Sequence, residues 1–140
     1  MSTRRIILDT NVLYSGLYSA DGASYQILRA IDRGQIRIAL SPTLLFEYEE
    51  ILYRNQAALG LSCQQINTIL DNLCAVGDHQ PIYFLWRPFL PDPKDDHVLE
   101  VAIASRTRII VTHNLKDFKE IEKAFGIRPM TPKEFLKEDV

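Results

Sequence analysis

The chain has 140 residues, 46% of them hydrophobic, and a formal net charge of −2 at neutral pH. That length suits one domain, 1–140, with a sizeable core. The weak negative charge argues against a protein that coats nucleic acid through bulk electrostatics. No uninterrupted apolar run of roughly 18 residues occurs, so no membrane-spanning helix is expected. Met1-Ser2-Thr3-Arg4-Arg5 leads straight into a short apolar run, without the layout of a signal peptide. Cys63 and Cys74 have neither metal-ligand spacing nor a disulfide framework, and are expected as buried reduced thiols. Together these features predict a cytoplasmic protein.

Strand-like and helix-like segments alternate in chain order, which predicts an α/β fold with a central, mainly parallel sheet of about five strands. Arg5 to Leu8 is a β-branched run, followed by Asp9-Thr10-Asn11, which reads as a turn leaving the strand. Gly22 to Arg33 carries Tyr25, Ile27, Leu28 and Ile31 on one apolar side and stops at Gly34. Ile36 to Leu40 is the second strand. Ser41-Pro42 then fits an N-cap with proline at the first helical position, opening a helix with the stripe Leu44, Leu45, Tyr48, Ile51 and Leu52. Ser62-Cys63-Gln64-Gln65 and Thr131-Pro132-Lys133-Glu134 fit the capping box, while Gly60, Gly77 and Gly126 are helix stops. Ile82 to Leu85 is a weaker strand candidate. Val98, Leu99, Ala102 and Ile103 mark a helix after Asp96, and Arg108 to Val111 is the clearest central strand. Ile127 to Met130 is a last short strand, confined to an edge by Pro129. The apolar faces around Tyr25–Ile31 and Ile66–Leu73 suit intramolecular packing better than a homodimer face.

Four carboxylates fall at the ends of apolar runs: Asp9, Glu47, Asp96 and Asp117. Acids at the C-terminal ends of parallel strands lie where open α/β sheets place ligands, and an all-oxygen set suits a hard cation such as Mg²⁺ or Mn²⁺. Thr10 and Asn11 can fix the rotamer of Asp9. Glu47 lies at the margin of its helix's buried stripe, whereas Glu49 and Glu50 read as solvated. In Asp92-Pro93-Lys94-Asp95-Asp96 one of the last two acids caps the next helix, favoured there by the macrodipole, and Asp95 could share the role of Asp96. His97 reads as a surface polar group. Thr112 and Asn114 are short polar groups at a strand exit, Asp117 suits a cap for the following short helix, and Phe118 anchors that turn in the core. Arg4, Arg5, Arg54, Lys94 and Lys116 are candidate phosphate contacts near these motifs.

The chain resembles the PIN domain family, nucleases related to the PilT N-terminal region that include VapC-type toxins of toxin–antitoxin systems. The resemblance is carried by Leu8-Asp9-Thr10-Asn11-Val12, Ser41 through Glu47, Asp96-His97-Val98-Leu99-Glu100-Val101-Ala102, and Val111-Thr112-His113-Asn114-Leu115-Lys116-Asp117-Phe118, in register over nearly the whole chain. It implies a three-layer α/β/α fold and an acidic cluster of Asp9, Glu47, Asp96 and Asp117 holding Mg²⁺ or Mn²⁺. It also implies cleavage of single-stranded RNA to products with a 5′-phosphate, with Asn11, Thr112 and Asn114 positioning substrate or water. An antitoxin protein is the implied partner. Asn114 stands where other members carry an aspartate, so the fourth ligand stays open between Asn114 and Asp117.

Two other classes fit less well. A non-catalytic RNA- or protein-binding module on the same fold could stack bases on Tyr14, Tyr18 or Trp86. A phosphatase with Asp9 as nucleophile wants a second aspartate two residues on, where Asn11 stands, and no Gly-x-Gly-x-x-Gly follows the first strand to suggest a dinucleotide enzyme.

Overall fold

The protein was analysed as a computed structural model, which describes residues 4–82, 90 and 95–139. Five strands run β1 (Arg4–Leu8), β2 (Ile36–Leu40), β3 (Asp78–His79), β4 (Ile109–Val111) and β5 (Arg128–Met130). They form one sheet in the order β3-β2-β1-β4-β5, every pair parallel. Parallel neighbours need crossovers, and helices supply them on both faces of the sheet. These are α1 (Thr10–Tyr18), α2 (Ala23–Asp32), α3 (Pro42–Arg54), α4 (Gln56–Leu59), α5 (Cys63–Val76), α6 (Asp96–Ser105), α7 (Ile121–Phe125) and α8 (Pro132–Asp139). Because both faces are covered, the central strands are apolar throughout: Ile6, Ile7, Leu8, Ile110 and Val111 are all fully buried.

Local chemistry places most of these elements where the sequence predicts them. Ser41 Oγ accepts the Leu44 N–H at 3.1 Å, capping α3, and Leu44, Tyr48 and Leu52 form its fully buried stripe. Ser62 and Gln65 exchange reciprocal bonds at 3.1 and 2.8 Å at the start of α5, and Thr131 and Glu134 do the same at 3.1 and 2.9 Å at the start of α8. Gly60 and Gly126 end their helices at φ 66° and 69°, where a side chain would be strained. Pro129 lies on β5, an edge strand. Ile27, Ile31, Ile66, Leu70 and Leu73 are buried in the common core, so the two stripes weighed as a dimer face are used internally.

Several expectations are corrected. Thr10-Asn11 opens the helix α1 and not a turn. α1 packs closely on α2 at Gly16, where an added Cβ would sit 2.5 Å from Leu28 Cδ1 and 3.1 Å from the Ser24 carbonyl carbon. Gly77 ends α5 with an ordinary φ of −83°; its small size matters because a Cβ would meet Leu40 Cδ1 at 2.4 Å. The third strand is Asp78–His79. Of the candidate Ile82 to Leu85 only Ile82 is among the described residues, and it is outside any strand; Tyr83, Phe84, Leu85 and Trp86 lie outside them, as do Asp92, Pro93 and Lys94. Cys63 is exposed and Cys74 half-buried, both as free thiols, so neither is the buried thiol expected. No helix among the described residues is long and apolar enough to cross a membrane.

Candidate active site

The strand order reverses between β1 and β4: β2 and β3 extend to one side of β1, β4 and β5 to the other. At such a switch point the connections leave in opposite directions and open a crevice beyond the carboxyl ends of the strands. Asp9 follows β1 there and Thr112 follows β4. The Asp9 N–H donates to the Val111 carbonyl at 3.0 Å, continuing the ladder, and the Thr112 hydroxyl donates to Asp9 Oδ2 at 2.7 Å.

Asp9 is also the N-cap of α1. Its Oδ1 accepts the Thr10 N–H at 2.8 Å, and Oδ2 accepts a longer bond from Asn11 Nδ2 at 3.3 Å. Asn11 in turn takes the His113 N–H on its Oδ1 at 3.3 Å, and the Asn114 N–H donates to the Thr112 hydroxyl at 3.0 Å. Thr10, Asn11, Thr112 and the Asn114 backbone therefore fix one carboxylate rotamer at the seam of two strands. Asn114's own side chain is exposed.

Glu47 reaches the same place from α3. The Thr10 hydroxyl donates to Glu47 Oε1 at 2.7 Å, so a single residue ties both acids, and Glu47 Oε2 hydrogen-bonds His97 Nε2. Tyr48 donates its buried hydroxyl to the Leu8 carbonyl, locking α3 to the end of β1. Burial drives the Asp9 carboxyl above its ordinary value of 3.8. The bonds from Thr112 and Thr10 pull it back, and the Glu47 charge pushes it up again. For Glu47 burial acts in the same raising direction, but the bonds from His97 and Thr10 and the His97 charge together outweigh it and hold it below 4.5. Burial pushes the Tyr48 phenol well up, helped by the charges of Asp9 and Glu47, so it stays neutral.

His97 corrects the reading of a surface polar group: it is only 8% exposed, and its Nδ1 has no hydrogen-bond partner among the described residues. Asp96, beside it at the head of α6, is fully buried and accepts the Leu90 N–H at 2.9 Å. Asp95 takes the N-cap position without a side-chain cap bond. Asp117 does not cap α7, whose N-cap position is Glu120. It lies half-buried in a short 3-10 helix, Leu115–Asp117, and Phe118 behind it is fully buried as expected. The described contacts thus link Asp9 and Glu47 through Thr10 and leave the Asp117 carboxylate outside the hydrogen-bonded group.

The sequence reading did not single out the Thr10 bond to Glu47, the Ser15–His113 pair or the buried Glu100. Thr10 bridges the two acids. Ser15 and His113 pair at 2.8 Å, with Ser15 also donating to Ser24. Glu100, 2% exposed, lies one helical turn beyond Asp96, and an acid inside the apolar pattern Val98, Leu99, Ala102, Ile103 was the available signal. Arg4 and Arg5 are not at this site: they begin β1, and Asp9 follows its end.

Among the described residues no three acids, histidines or cysteines already converge as a metal cage. The donor set still fits a hard divalent cation. Asp9 and Glu47 are desolvated carboxylates that repel one another, and a cation would relieve that repulsion. Mg²⁺ in particular is commonly held by one or two carboxylates while keeping several waters.

A buried Asp9 and a half-buried Glu47 thus meet at the switch point of a parallel α/β sheet, where such folds place ligands, and the sequence comparison narrows the class. The PIN domain family matches residues 5–116, so the chain belongs to that family, a family of nucleases that generally use divalent metals and act on nucleic acid. No curated protein matches the chain.

Proposed function

We propose that the protein is a Mg²⁺- or Mn²⁺-dependent endoribonuclease that cleaves phosphodiester bonds of single-stranded RNA. The observation that carries this reading is the bridging of Asp9 and Glu47 by Thr10, whose N–H donates to Asp9 and whose hydroxyl donates to Glu47, at the end of the sheet where ligands bind. Asp9, Glu47, Asp96 and Asp117 are the proposed metal ligands, directly or through water. A divalent ion held there supplies polarisation of the scissile phosphate and a water of lowered pKa.

The chain's own groups do the rest. Thr112 and the Thr10 N–H hold the Asp9 carboxylate in one rotamer, while the lowered pKa of Glu47 keeps it ionised at neutral pH. Asn11, Thr112 and Asn114 position phosphate or water at the mouth of the crevice. Tyr14 and Tyr18 stack with ring centroids 5.8 Å apart, and Tyr18 is 62% exposed, a platform suited to an unpaired base. In keeping with the resemblance to VapC-type toxins, we assign the protein the role of toxin in a toxin–antitoxin pair. Co-purification with the product of a neighbouring gene tests that role.

One observation favours a second reading, a PIN-fold module that binds RNA or protein without cutting. Both Glu47 oxygens already have partners in Thr10 and His97. Incubation of labelled single-stranded RNA with Mn²⁺, using wild type, Asp9→Asn and Glu47→Gln, separates the two. Cleavage by wild type and its loss in both variants supports the nuclease; RNA binding without calorimetric Mn²⁺ binding or cleavage supports the module.

A further inference from the structure

The end of the sheet opposite Asp9 carries a different chemistry. Arg4, Arg5, Arg37, Arg106 and Arg108 line one cavity of about 430 Å³, with Asp78 as the acid among its lining residues. They come from the starts of β1 and β2 and from the connection between α6 and β4. The chain has ten arginines and a net charge of −2, so half of its arginines gather where its overall charge predicts none. Among the described residues no lysine lines the cavity. That matters because a planar guanidinium binds phosphate through paired parallel hydrogen bonds, whereas an ammonium acts as a point charge.

The five arginines divide into a frame and two open groups. Arg5 donates to Thr107 Oγ1 at 3.1 Å, to Asp78 Oδ2 at 3.3 Å and to the Ser105 carbonyl, while Arg37 donates to Asp78 Oδ2 at 3.0 Å and also to Oδ1. Asp78 is therefore consumed by two arginines, and those bonds hold its carboxyl below 3.8. Arg4 lies over the Phe135 ring, 5.5 Å from its centroid. Arg106 and Arg108 are exposed and have no acidic partner among the described residues. Arg106 also occupies φ 57°, and among the described residues it alone has a positive φ without being glycine. It stands at the C-terminus of α6, where glycine is the unstrained choice. Keeping an arginine in that conformation points to use of its side chain.

We propose that this cleft binds clustered phosphates, with Arg106 and Arg108 as the principal contacts on a platform set by Arg5, Arg37 and Asp78. Arg5 precedes Asp9 by four residues of extended chain, roughly 13 Å, so the cleft is separate from the acidic crevice. The phosphates could come from a free oligophosphate or from a nucleic-acid backbone. Among the described residues no aromatic side chain lines the cleft to stack a base, which favours recognition through phosphate.

Inorganic tripolyphosphate is the probe, titrated by calorimetry in EDTA so that no metal at the acidic crevice contributes. The expected result is saturable binding by wild type that is about 10- to 100-fold weaker in Arg106→Gln/Arg108→Gln, the scale of losing charge-assisted bonds. Arg106→Gly, which relieves the strained backbone, secures a folded variant and should also bind more weakly. Arg29→Gln/Arg33→Gln removes the same charge from α2 and should bind as wild type does. Displacement of tripolyphosphate by a single-stranded oligonucleotide assigns the site to nucleic-acid backbone, and no displacement assigns it to free oligophosphate. Absence of saturable binding, or equal weakening in the α2 control, overturns the proposal.

Discussion

Replacing Asp9 by asparagine should make the metal-free protein more stable while removing most of its response to metal. Asparagine keeps the oxygen that accepts the Thr10 N–H at 2.8 Å. Its amide nitrogen replaces Oδ2, the acceptor for Thr112 at 2.7 Å and Asn11 at 3.3 Å. The Thr112 oxygen can accept from that nitrogen, although it already takes the Asn114 N–H at 3.0 Å. The loss is therefore about one hydrogen bond, on the order of 0.5–1.5 kcal/mol. Against it stands relief of the burial and of the Glu47 repulsion that together raise the Asp9 pKa, which means the folded site prefers an uncharged group at this position. Without metal, the melting temperature of Asp9→Asn should equal or exceed that of wild type.

With metal the order reverses. A ligand at about 100 times its Kd stabilises the native state by about 2.7 kcal/mol, and for a chain of this length each kcal/mol corresponds to about 3–5 °C. Wild type should gain about 8–13 °C on addition of Mn²⁺, and Asp9→Asn a small fraction of that. Differential scanning fluorimetry in EDTA and across a Mn²⁺ titration measures both arms. A melting temperature for Asp9→Asn well below wild type in EDTA refutes the desolvation argument, and an identical Mn²⁺ shift in both proteins refutes Asp9 as a ligand.

Thr112→Val removes a donor to the ionised form of Asp9, so the Asp9 pKa should rise further; the acid limb of a pH–cleavage profile should move to higher pH, with a stability loss of about 1–3 kcal/mol in urea unfolding. Tyr48→Phe strands the bond to the Leu8 carbonyl and should cost about 1–2 kcal/mol by the same measurement. Gly77→Ala should cost about 1–3 kcal/mol, since its methyl would lie 2.4 Å from Leu40 Cδ1 and 2.9 Å from the Leu73 carbonyl oxygen; an unchanged urea midpoint would contradict that crowding. Glu47 is held below 4.5, so its ionised form contributes stability that is complete above about that pH and lost as pH falls through the lower folded value. Asp9 acts oppositely, its contribution being lost as pH rises from 3.8 through its raised value. Thr10→Val deletes one Glu47 bond, so its acid-unfolding midpoint followed by circular dichroism in EDTA should lie at higher pH than that of wild type.

The elements legible in the sequence were those whose own residues decide their structure. Ile6-Ile7-Leu8 and Ile109-Ile110-Val111 are β-branched or apolar on both faces, and Ser41, Ser62 and Thr131 announce helix starts through bonds made within four residues. The elements missed are decided by distant partners. Asp78–His79 has little strand propensity, and becomes a strand because α5 delivers it to β2, where Arg37 and Arg5 grip the Asp78 carboxylate. Thr10-Asn11 has the chemistry of a turn; the helix that begins there is capped by Asp9 and packs closely on α2 at Gly16, beside Leu28.

The same division separates the two ends of the molecule. Strand-end acids can be found from sequence, because an apolar run that stops at an aspartate has one plausible place in a parallel sheet. What sets their charge state cannot, since Thr10, Thr112 and His97 reach Asp9 and Glu47 from three separate elements. Arg4 and Arg5 show the converse error. Proximity in sequence placed them beside Asp9, yet a strand is a ruler: its first residues and the residue after its last lie at opposite edges of the sheet. One five-residue strand thus begins with two arginines, Arg4 and Arg5, and is followed at its other end by Asp9. The chain's net charge of −2 therefore describes neither end.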